Sequence, residues 1–296
     1  MTSGIGFHVS IAGGIANSVD NARKIGCTAF QIFTRNPRGW VGRGLDINDV
    51  RSFQKKLNEN KIKPDSVAVH MPYLPNLSAP EGVTYQKSVE VLSEELVRCS
   101  TLQIPQLVIH LGSHLGKGST IGIGQLVKAC NSCVKKSDST GKSSKKKGNM
   151  VKILLENGAG QSNSVGATFD ELGHIIDMLD SKHRFGVCLD TCHCFAAGYD
   201  LRNEVGVDKT IEEFDDKIGL KYLNLIHLND SINDIGSGLD RHEHIGLGKI
   251  GKDGFSAILS HSSIKNLPII METPIDERRG DIENYEYVKT LMNIRN

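Results

Sequence analysis

The stretch LNLIHLNDSINDIGSGLDRHEHIGLG, residues 223–248, contains the unit on which the fold prediction rests. It opens with a largely apolar run, typical of a strand buried on both faces, and this run ends on His227. A polar loop with two glycines follows, and beyond it Asp240 and His242 stand two residues apart. If the backbone there is extended, an oxygen ligand and a nitrogen ligand can converge on one ion. The unit is thus a buried strand that ends on a metal-capable side chain.

The same unit recurs along the chain. Seven further runs have the character of short strands: Ile5–Val9, Ala29–Phe33, Ser66–His70, Gln106–His110, Lys152–Glu156, Phe185–Asp190 and Leu267–Glu272. Apolar residues at helical spacing separate most of them, over 15–25, 47–60, 83–99, 123–134, 169–179 and 211–218. Eight strands alternating with helices, with no composition break between the halves, predict one (β/α)8 TIM barrel over residues 1–296. A doubly wound sheet is the less favoured α/β architecture.

Most of the predicted strands finish at or next to a histidine or a carboxylate. These residues are His8, His70, His110, Glu156, Asp190, His227 and Glu272. Taken singly, each could be a hydrogen-bonded core residue or a surface group. The carboxyl ends of barrel strands, however, form the one face where barrel active sites are built. Their shared position therefore predicts a cluster at that face. We expect His8, like His114 and His244, to support the cluster or to lie at the surface rather than to bind an ion.

The candidate metal ligands are five imidazoles and four carboxylates. They are His70, His110, Glu156, Asp190, His193, His227, Asp240, His242 and Glu272. This mixture is typical of zinc or manganese in hydrolytic sites, and it exceeds what one catalytic ion takes, so two or three ions are implied. Clustered divalent ions are typical of phosphodiester hydrolysis. Cys192 and Cys194 flank His193 and could be ligands, but the carboxylate-rich neighbourhood favours a site of oxygen and nitrogen donors.

Composition and charge narrow the class of protein. Hydrophobic residues make up 39% and charged residues 23% of the chain, as in ordinary globular proteins. A net charge of +1 argues against binding nucleic acid by bulk charge alone, although it does not exclude a local basic groove. No apolar run is long enough for a membrane span, and the N-terminus lacks a signal-like pattern, so we expect an intracellular protein of the cytoplasm, nucleoid or nucleus. The seven cysteines are expected to be free thiols.

One segment interrupts the regular alternation. Lys135–Asn149 holds six lysines and one aspartate among Ser, Gly and Thr, which predicts a solvated loop insertion. Contact with DNA phosphates or a localisation signal are the alternatives. Beside it, Cys130 and Cys133 form a lone C-x-x-C pair, which is a weak zinc motif without a second pair. We expect these two cysteines to lie on a helix face.

Six motifs carry a resemblance to a known family. They are HMPYL at 70–74, LLENGAGQ at 154–161, CLDTCHCFAAGYD at 188–200, HLNDS at 227–231, GSGLDRHEHIGLG at 236–248 and METP at 271–274. In these motifs the sequence resembles the endonuclease IV family of apurinic/apyrimidinic (AP) endonucleases. The resemblance runs from Gly6 to about Tyr287, and the lysine-rich segment is its main departure.

The resemblance implies three zinc ions per chain, with manganese possible at the third. The implied ligands are His70, His110 and Glu156 at the first site, a bridging Glu156 with Asp190, His227 and Glu272 at the second, and His193, Asp240 and His242 at the third. Glu156 and Glu272 are the implied catalytic residues. The implied reaction is cleavage 5′ to an abasic site, giving a 3′-hydroxyl and a 5′-deoxyribose phosphate, together with removal of 3′-blocking groups in base excision repair. The implied partner is double-stranded DNA, bound by a monomer.

The resemblance also implies DNA contacts in two loops. Asn36 and Arg38 match residues that enter the minor groove, and Tyr73 and Leu74 match apolar wedges that help extrude the abasic nucleotide. Such wedges unstack a base step, and an abasic site is already unpaired. Gly39 stands where relatives often carry a polar side chain, which would weaken the grip of its loop. The alternative for Tyr73 and Leu74 is a small apolar patch that caps the barrel.

Two other functions stay open at this point. One is a divalent-metal sugar isomerase or epimerase on the same architecture, although the Asp240-x-His242 pair argues against it. The other is a catalytically silent DNA-binding barrel, which a missing ligand would have favoured. All nine expected ligand types are present in the sequence.

Overall fold

The computed structural model describes residues 4–140 and 150–293. Its ten strands are β1 (Ile5–Phe7), β2 (Phe30–Ile32), β3 (Val67–His70), β4 (Gln106–His110), β5 (Lys152–Glu156), β6 (Phe185–Asp190), β7 (Leu223–His227), β8 (Asp230–Ser231), β9 (His242–Glu243) and β10 (Ile269–Met271). Eight of them form one sheet in the order β1-β10-β7-β6-β5-β4-β3-β2, while β8 and β9 form a separate antiparallel pair. Every pairing within the large sheet is parallel. The predicted TIM barrel is confirmed.

The ring closes between β1 and β2. A parallel bridge joins His8 to Gln31, and the N–H of Val9 donates to the Gln31 carbonyl at 2.8 Å. Gly6 makes this approach possible, because a Cβ at that position would lie 1.8 Å from the carbonyl oxygen of Ala29. Only glycine fits where two backbones come this close.

Nine α-helices surround the described part of the sheet. They are α1 (Asn17–Ile25), α2 (Ile47–Glu59), α3 (Val83–Leu102), α4 (Ser119–Thr140), α5 (Phe169–Met178), α6 (Thr191–Ala197), α7 (Glu204–Lys217), α8 (Gly251–Ser260) and α9 (Asp281–Asn293). Six of these helices overlap the predicted helical segments. Side chains cap several N-termini: the Asp46 carboxylate accepts from two backbone N–H groups of α2, and the Thr168 hydroxyl accepts from Glu171 in α5. None of the described helices has both the length and the apolar character needed to cross a membrane.

The barrel interior is built in two layers, because alternate residues of a strand point to the same side. The lower layer is small and apolar, and consists of Ala29, Ala68, Val108, Leu154, Cys188, Leu225 and Ile270. Two residues further along the same strands come Gln31, His70, His110, Glu156, Asp190, His227 and Glu272. A polar layer at the carboxyl end of the barrel thus lies directly on the apolar lower layer. A larger apolar core fills the space between the sheet and the helices.

The lysine-rich segment differs in part from its prediction. Helix α4 continues to Thr140, so the first six residues of the predicted loop are helical. The Asp138 carboxylate pairs with the guanidinium of Arg184, which is buried and also donates to the Val151 carbonyl. This contact ties the end of α4 to the start of β5, which a sequence pattern cannot reveal. The remainder of the predicted loop, residues 141–149, lies outside the described residues.

The cysteine predictions are confirmed. All seven cysteines are buried and free. Cys130 and Cys133 lie on the buried face of α4, and the Cys133 thiol donates to the Val89 carbonyl at 3.5 Å. These two cysteines therefore belong to the packing between α3 and α4 rather than to a metal site.

Candidate metal centre

All nine predicted ligands meet at the carboxyl end of the barrel. Among the described residues, four overlapping groups have their ligand atoms within 4.8 Å of one another. The groups are His70, His110 and Glu156; Glu156, Asp190, His227 and Glu272; Asp190, His193 and His242; and Cys192, Asp240 and His242. Residues from six strands, from helix α6 and from two loops, far apart in the chain, therefore form one continuous cluster.

Glu156, at the end of β5, stands at the centre of the cluster. Its Oε2 lies 3.1 Å from His70 Nε2 and 3.2 Å from His110 Nε2. Its Oε1 lies 3.0 Å from His227 Nδ1, on the opposite side. Burial would raise the pKa of Glu156, but the nearby His227 and His110 outweigh it and hold that pKa well below the ordinary value. Glu156 is therefore a buried anion whose two oxygens face two ligand groups.

Glu272 follows β10 and faces the second group. Its Oε2 lies 3.6 Å from His227 Nδ1, and Asp190 Oδ2 approaches the same nitrogen at 3.9 Å. Burial would raise the pKa of Glu272, but His227 and His8 lower it below its usual range. The second group thus gathers three carboxylates around one imidazole, and such an excess of negative charge suits a cation.

The third predicted ligand group, which consists of His193, Asp240 and His242, depends on α6 and on the hairpin of β8 and β9. Among the ligand groups of the described residues, His193 stands with Asp190 and His242, and Asp240 stands with Cys192 and His242. The Asp190 side chain caps α6 by accepting from the His193 N–H at 2.8 Å, which directs His193 over the barrel mouth. The hairpin places His242 in extended β9, and His242 Nε2 lies 3.2 Å from Asp240 Oδ1. His193 Nε2 lies 3.3 Å from the same oxygen.

Both imidazoles of the third group have an unused nitrogen. Their Nδ1 atoms hydrogen-bond to the carbonyls of Asn157 and Glu272, at 2.9 and 3.0 Å. Their Nε2 atoms are buried and have no hydrogen-bond partner. Burial would lower the pKa of each ring, but Asp190 and Asp240 outweigh it and raise the pKa of His193 to about 10 and that of His242 to about 9. Orphaned nitrogens aimed at a carboxylate are the arrangement a metal ion satisfies.

Two amides that the sequence analysis did not select hold the ligands in place. Gln31, fully buried on β2, donates from Nε2 to Glu272 Oε1 at 2.9 Å, and its Oε1 lies 3.0 Å from His227 Nε2. His227 Nδ1 is thereby left facing the carboxylates. Asn229 donates to Asp190 Oδ2 at 2.7 Å and accepts from the Glu272 N–H at 2.8 Å. Gln31 could have been found by its spacing, because it follows the interior Ala29 by two residues.

The three histidines set aside from the ligand set take supporting positions. His8 Nδ1 lies 3.1 Å from Glu272 Oε1 and therefore supports a predicted ligand. His244 is buried and bonded to Asp276 and Asn284. His114 accepts from the N–H of Gly118 within its own loop. None of the three belongs to the ligand groups found among residues 4–140 and 150–293.

The four predicted DNA-contacting residues lie in two adjoining loops at the carboxyl end of the barrel. Asn36 and Arg38 are exposed in the loop after β2, and Tyr73 and Leu74 are 54% and 40% exposed after β3. The Tyr73 N–H donates to the Pro37 carbonyl at 3.1 Å, which joins the two loops. Tyr73 and Leu74 also line a cavity of about 390 Å³, whose other lining residues include His110, Glu156, His193 and Asp240. The apolar side chains thus border an open route to the cluster.

A buried ionic network supports the loop that carries Asn36 and Arg38. Glu95 of α3 is fully buried, and its two oxygens accept from Arg35 Nε at 2.6 Å and from the Thr34 hydroxyl at 2.7 Å. Arg98, one turn further along α3, donates to the Thr34 hydroxyl at 2.6 Å and to the Arg43 carbonyl at 2.8 Å. The network therefore fixes both ends of the loop to one helix.

Comparison with known proteins identifies the family. The family model described as "Xylose isomerase-like TIM barrel" matches residues 19–292. A protein named "Probable endonuclease 4" from Cenarchaeum symbiosum is 51% identical, over 97% of this chain and 99% of the relative. One of the same name from Methanoculleus marisnigri is 50% identical, over 97% and 98%.

Solved structures give the same picture. The structure of endonuclease IV from Thermus thermophilus covers 98% of this chain and 99% of its own, with a TM-score of 0.84 and 30% identity. A D-tagatose 3-epimerase-like protein superposes with a TM-score of 0.72 at 18% identity, over 99% of this chain and 98% of its own, which shows a shared fold alone. By its near full-length relatives, this chain belongs to the endonuclease IV family of the xylose isomerase-like TIM barrels.

Proposed function

We propose that this protein is a metal-dependent AP endonuclease of base excision repair. It hydrolyses the phosphodiester 5′ to an abasic site, leaving a 3′-hydroxyl and a 5′-deoxyribose phosphate, and also removes 3′-blocking groups from broken strands. The relatives named endonuclease 4, about 50% identical over almost the whole chain, support this assignment. The observation that carries it in the molecule is the cluster of nine imidazoles and carboxylates around Glu156.

Three zinc ions per chain fit this cluster, with manganese possible at the third position. The proposed sites are His70, His110 and Glu156; Glu156, Asp190, His227 and Glu272; and His193, Asp240 and His242. The unpartnered Nε2 atoms of His193 and His242 and the buried anion of Glu156 support cation binding. Imidazole and carboxylate donors suit zinc and manganese. Bound divalent cations supply Lewis acidity, which lowers the pKa of water and stabilises negative charge on a leaving oxygen.

The chain's own residues orient the reaction. Glu156 and Glu272 have lowered pKa values and stay ionised at neutral pH, so each accepts a hydrogen bond from an attacking water instead of donating a proton. Gln31 donates to the Glu272 carboxylate, and Asn229 accepts from the Glu272 backbone N–H, so that the carboxylate stays directed at the cluster. This preorganisation lowers the cost of holding water and phosphate in line.

Asn36, Arg38, Tyr73 and Leu74 are the proposed contacts to double-stranded DNA. Arg38 offers a cation to the minor groove, while Tyr73 and Leu74 wedge into the base stack beside the cavity. An abasic sugar needs little space because it carries no base, and extruding it costs less than extruding a paired nucleotide. Since the net charge is only +1, these local contacts rather than bulk charge provide recognition. We propose that residues 1–296 act as one domain and as a monomer, inside the cell where the DNA is.

A duplex that holds one tetrahydrofuran abasic analogue tests the proposal. The purified protein should nick this duplex 5′ to the analogue, chelation should abolish nicking, and Glu156→Ala should leave no measurable activity. Glu212→Ala, an exposed carboxylate on α7, is the matched control and should nick at the wild-type rate. Undiminished turnover by Glu156→Ala, or by the chelated enzyme, would refute the proposal. Epimerisation of a ketose without nicking would favour the sugar epimerases that share the fold.

A further inference from the structure

The two cysteines that flank His193 occupy different environments. Both are buried on α6, but Cys194 packs in the apolar core between the sheet and the helices. Cys192 instead has its sulfur within 4.8 Å of the ligand atoms of Asp240 and His242. Among the ligand groups of the described residues, Cys192 is the one thiol that takes part.

The Cys192 thiol contacts the Arg241 carbonyl and the Ser231 side chain. It donates to the Arg241 carbonyl over 3.6 Å, a long and weak hydrogen bond. The buried His193 has an unpartnered Nε2 that lies 3.3 Å from Asp240 Oδ1. Asp240 therefore lies within reach of both a thiol and an imidazole nitrogen.

Two ligand groups share His242 and differ in their donors. Asp190 and His193 complete one with oxygen and nitrogen, while Cys192 and Asp240 complete the other with sulfur and oxygen. Oxygen and nitrogen suit zinc and manganese, whereas thiolate sulfur selects softer, thiophilic ions. The same place in the fold can therefore hold two classes of ion.

We propose that Cys192, with Asp240 and His242, forms a capture site for thiophilic divalent cations such as cadmium. This inference rests on the metal centre of the proposed function. On capture the thiol loses its proton to solvent and a sulfur–cadmium bond forms, with no change of oxidation state. Because the captured ion takes Asp240 and His242, it withdraws two of the three ligands proposed for the third catalytic ion. Cadmium therefore competes with zinc at this position and poisons the enzyme.

The test follows cadmium binding to zinc-free protein by the near-ultraviolet charge-transfer band that only a thiolate–cadmium bond produces. The wild type should develop the band on titration, and the remote control Cys133→Ser on α4 should match it. Cys192→Ser and Cys192→Ala should lack the band, and their cadmium affinity at this site should fall at least about tenfold, the scale on which even outer partners of metal sites act. Circular dichroism and zinc content establish that the variants are folded.

The possible results distinguish a failure of the capture site from a failure of the proposed function. A band of equal size in Cys192→Ser, or none in a wild type that binds zinc and nicks the abasic duplex, overturns the capture site alone. A wild type that binds neither zinc nor cadmium and does not nick overturns the proposed function as well. Loss of the band confined to the two Cys192 variants supports the capture site.

Discussion

At the scale of the residue, Gln31 shows what a list of metal-capable residues leaves out. The nine proposed ligands could be selected from the sequence because histidines and carboxylates at strand ends stand out by type. Gln31 and Asn229 could not be selected in that way, because amides are common at strand ends and in loops. Their importance comes from the contacts they make with His227, Glu272 and Asp190, which only the closed barrel creates.

Replacing Gln31 with alanine should weaken zinc binding without unfolding the barrel. The change removes a partner from His227 Nε2 and another from Glu272 Oε1. Loss of such partners typically lowers metal affinity about 10- to 100-fold. Competition with a chromogenic chelator measures the affinity, and Gln86→Ala, exposed on α3, is the matched control. Equal zinc affinity in the two variants would show that Gln31 does not position the ligands.

Zinc uptake should release protons at neutral pH. The pKa values of His193 and His242 are raised to about 10 and about 9, so both rings are protonated at about pH 7.5, whereas a zinc ligand must be neutral. Filling the third group therefore releases two protons. As the pH rises through these pKa values, fewer protons are released on zinc binding and the affinity for zinc increases. Titration calorimetry in buffers of different ionisation enthalpy counts the protons. His242→Ala should release fewer, and an unchanged count would contradict the assignment.

At the scale of the element, the helices with a long apolar pattern in the sequence were predicted. Helices that depend on a cap or on tertiary contacts were not. Helices α2, α3 and α5 have apolar residues at helical spacing and lie close to their predicted ranges. The short α6 was missed, because the cap that starts it is Asp190, a residue selected as a ligand. Helix α8 was missed as well, because Gly251 and Gly254 lower the helix propensity of its first turn.

The network under the Asn36 and Arg38 loop should affect DNA binding more than catalysis. Glu95→Gln keeps the shape of the side chain but removes the charge that holds Arg35. We expect the Kd for the abasic duplex to rise about tenfold, the cost of roughly 1.4 kcal/mol, because the loop loses its fixed geometry. The single-turnover rate on saturating enzyme and the zinc content should stay near those of the wild type, since the partners of Glu95 are Thr34, Arg35 and Arg98 and include none of the proposed metal ligands.

The control for Glu95→Gln is Glu90→Gln, which is exposed on the same helix and outside the network. Fluorescence of a base analogue opposite the abasic site reports whether the loops still enter the duplex. A loss of stability alone, with normal affinity and normal fluorescence, would mean that Glu95 serves the fold and not the loop.

At the scale of the whole molecule, proteins with different activities share this barrel fold. Sugar epimerases with 18% identity or less superpose on this chain over almost its full length, so the barrel does not by itself specify the reaction. The barrel could be predicted because its unit repeats eight times, and the cluster because the repeat puts its side chains at one rim. The exact separations and the support beneath the ligands follow from closure of the ring.

We propose that side chains distant in the sequence together hold a set of divalent cations at the mouth of the barrel. Elemental analysis of the purified protein, after dialysis against metal-free buffer, tests it most directly. We predict three ions per chain, mostly zinc, and fewer in Glu156→Ala. A fully folded wild-type protein that retains no divalent metal, or that retains as much after the Glu156→Ala change, would contradict it.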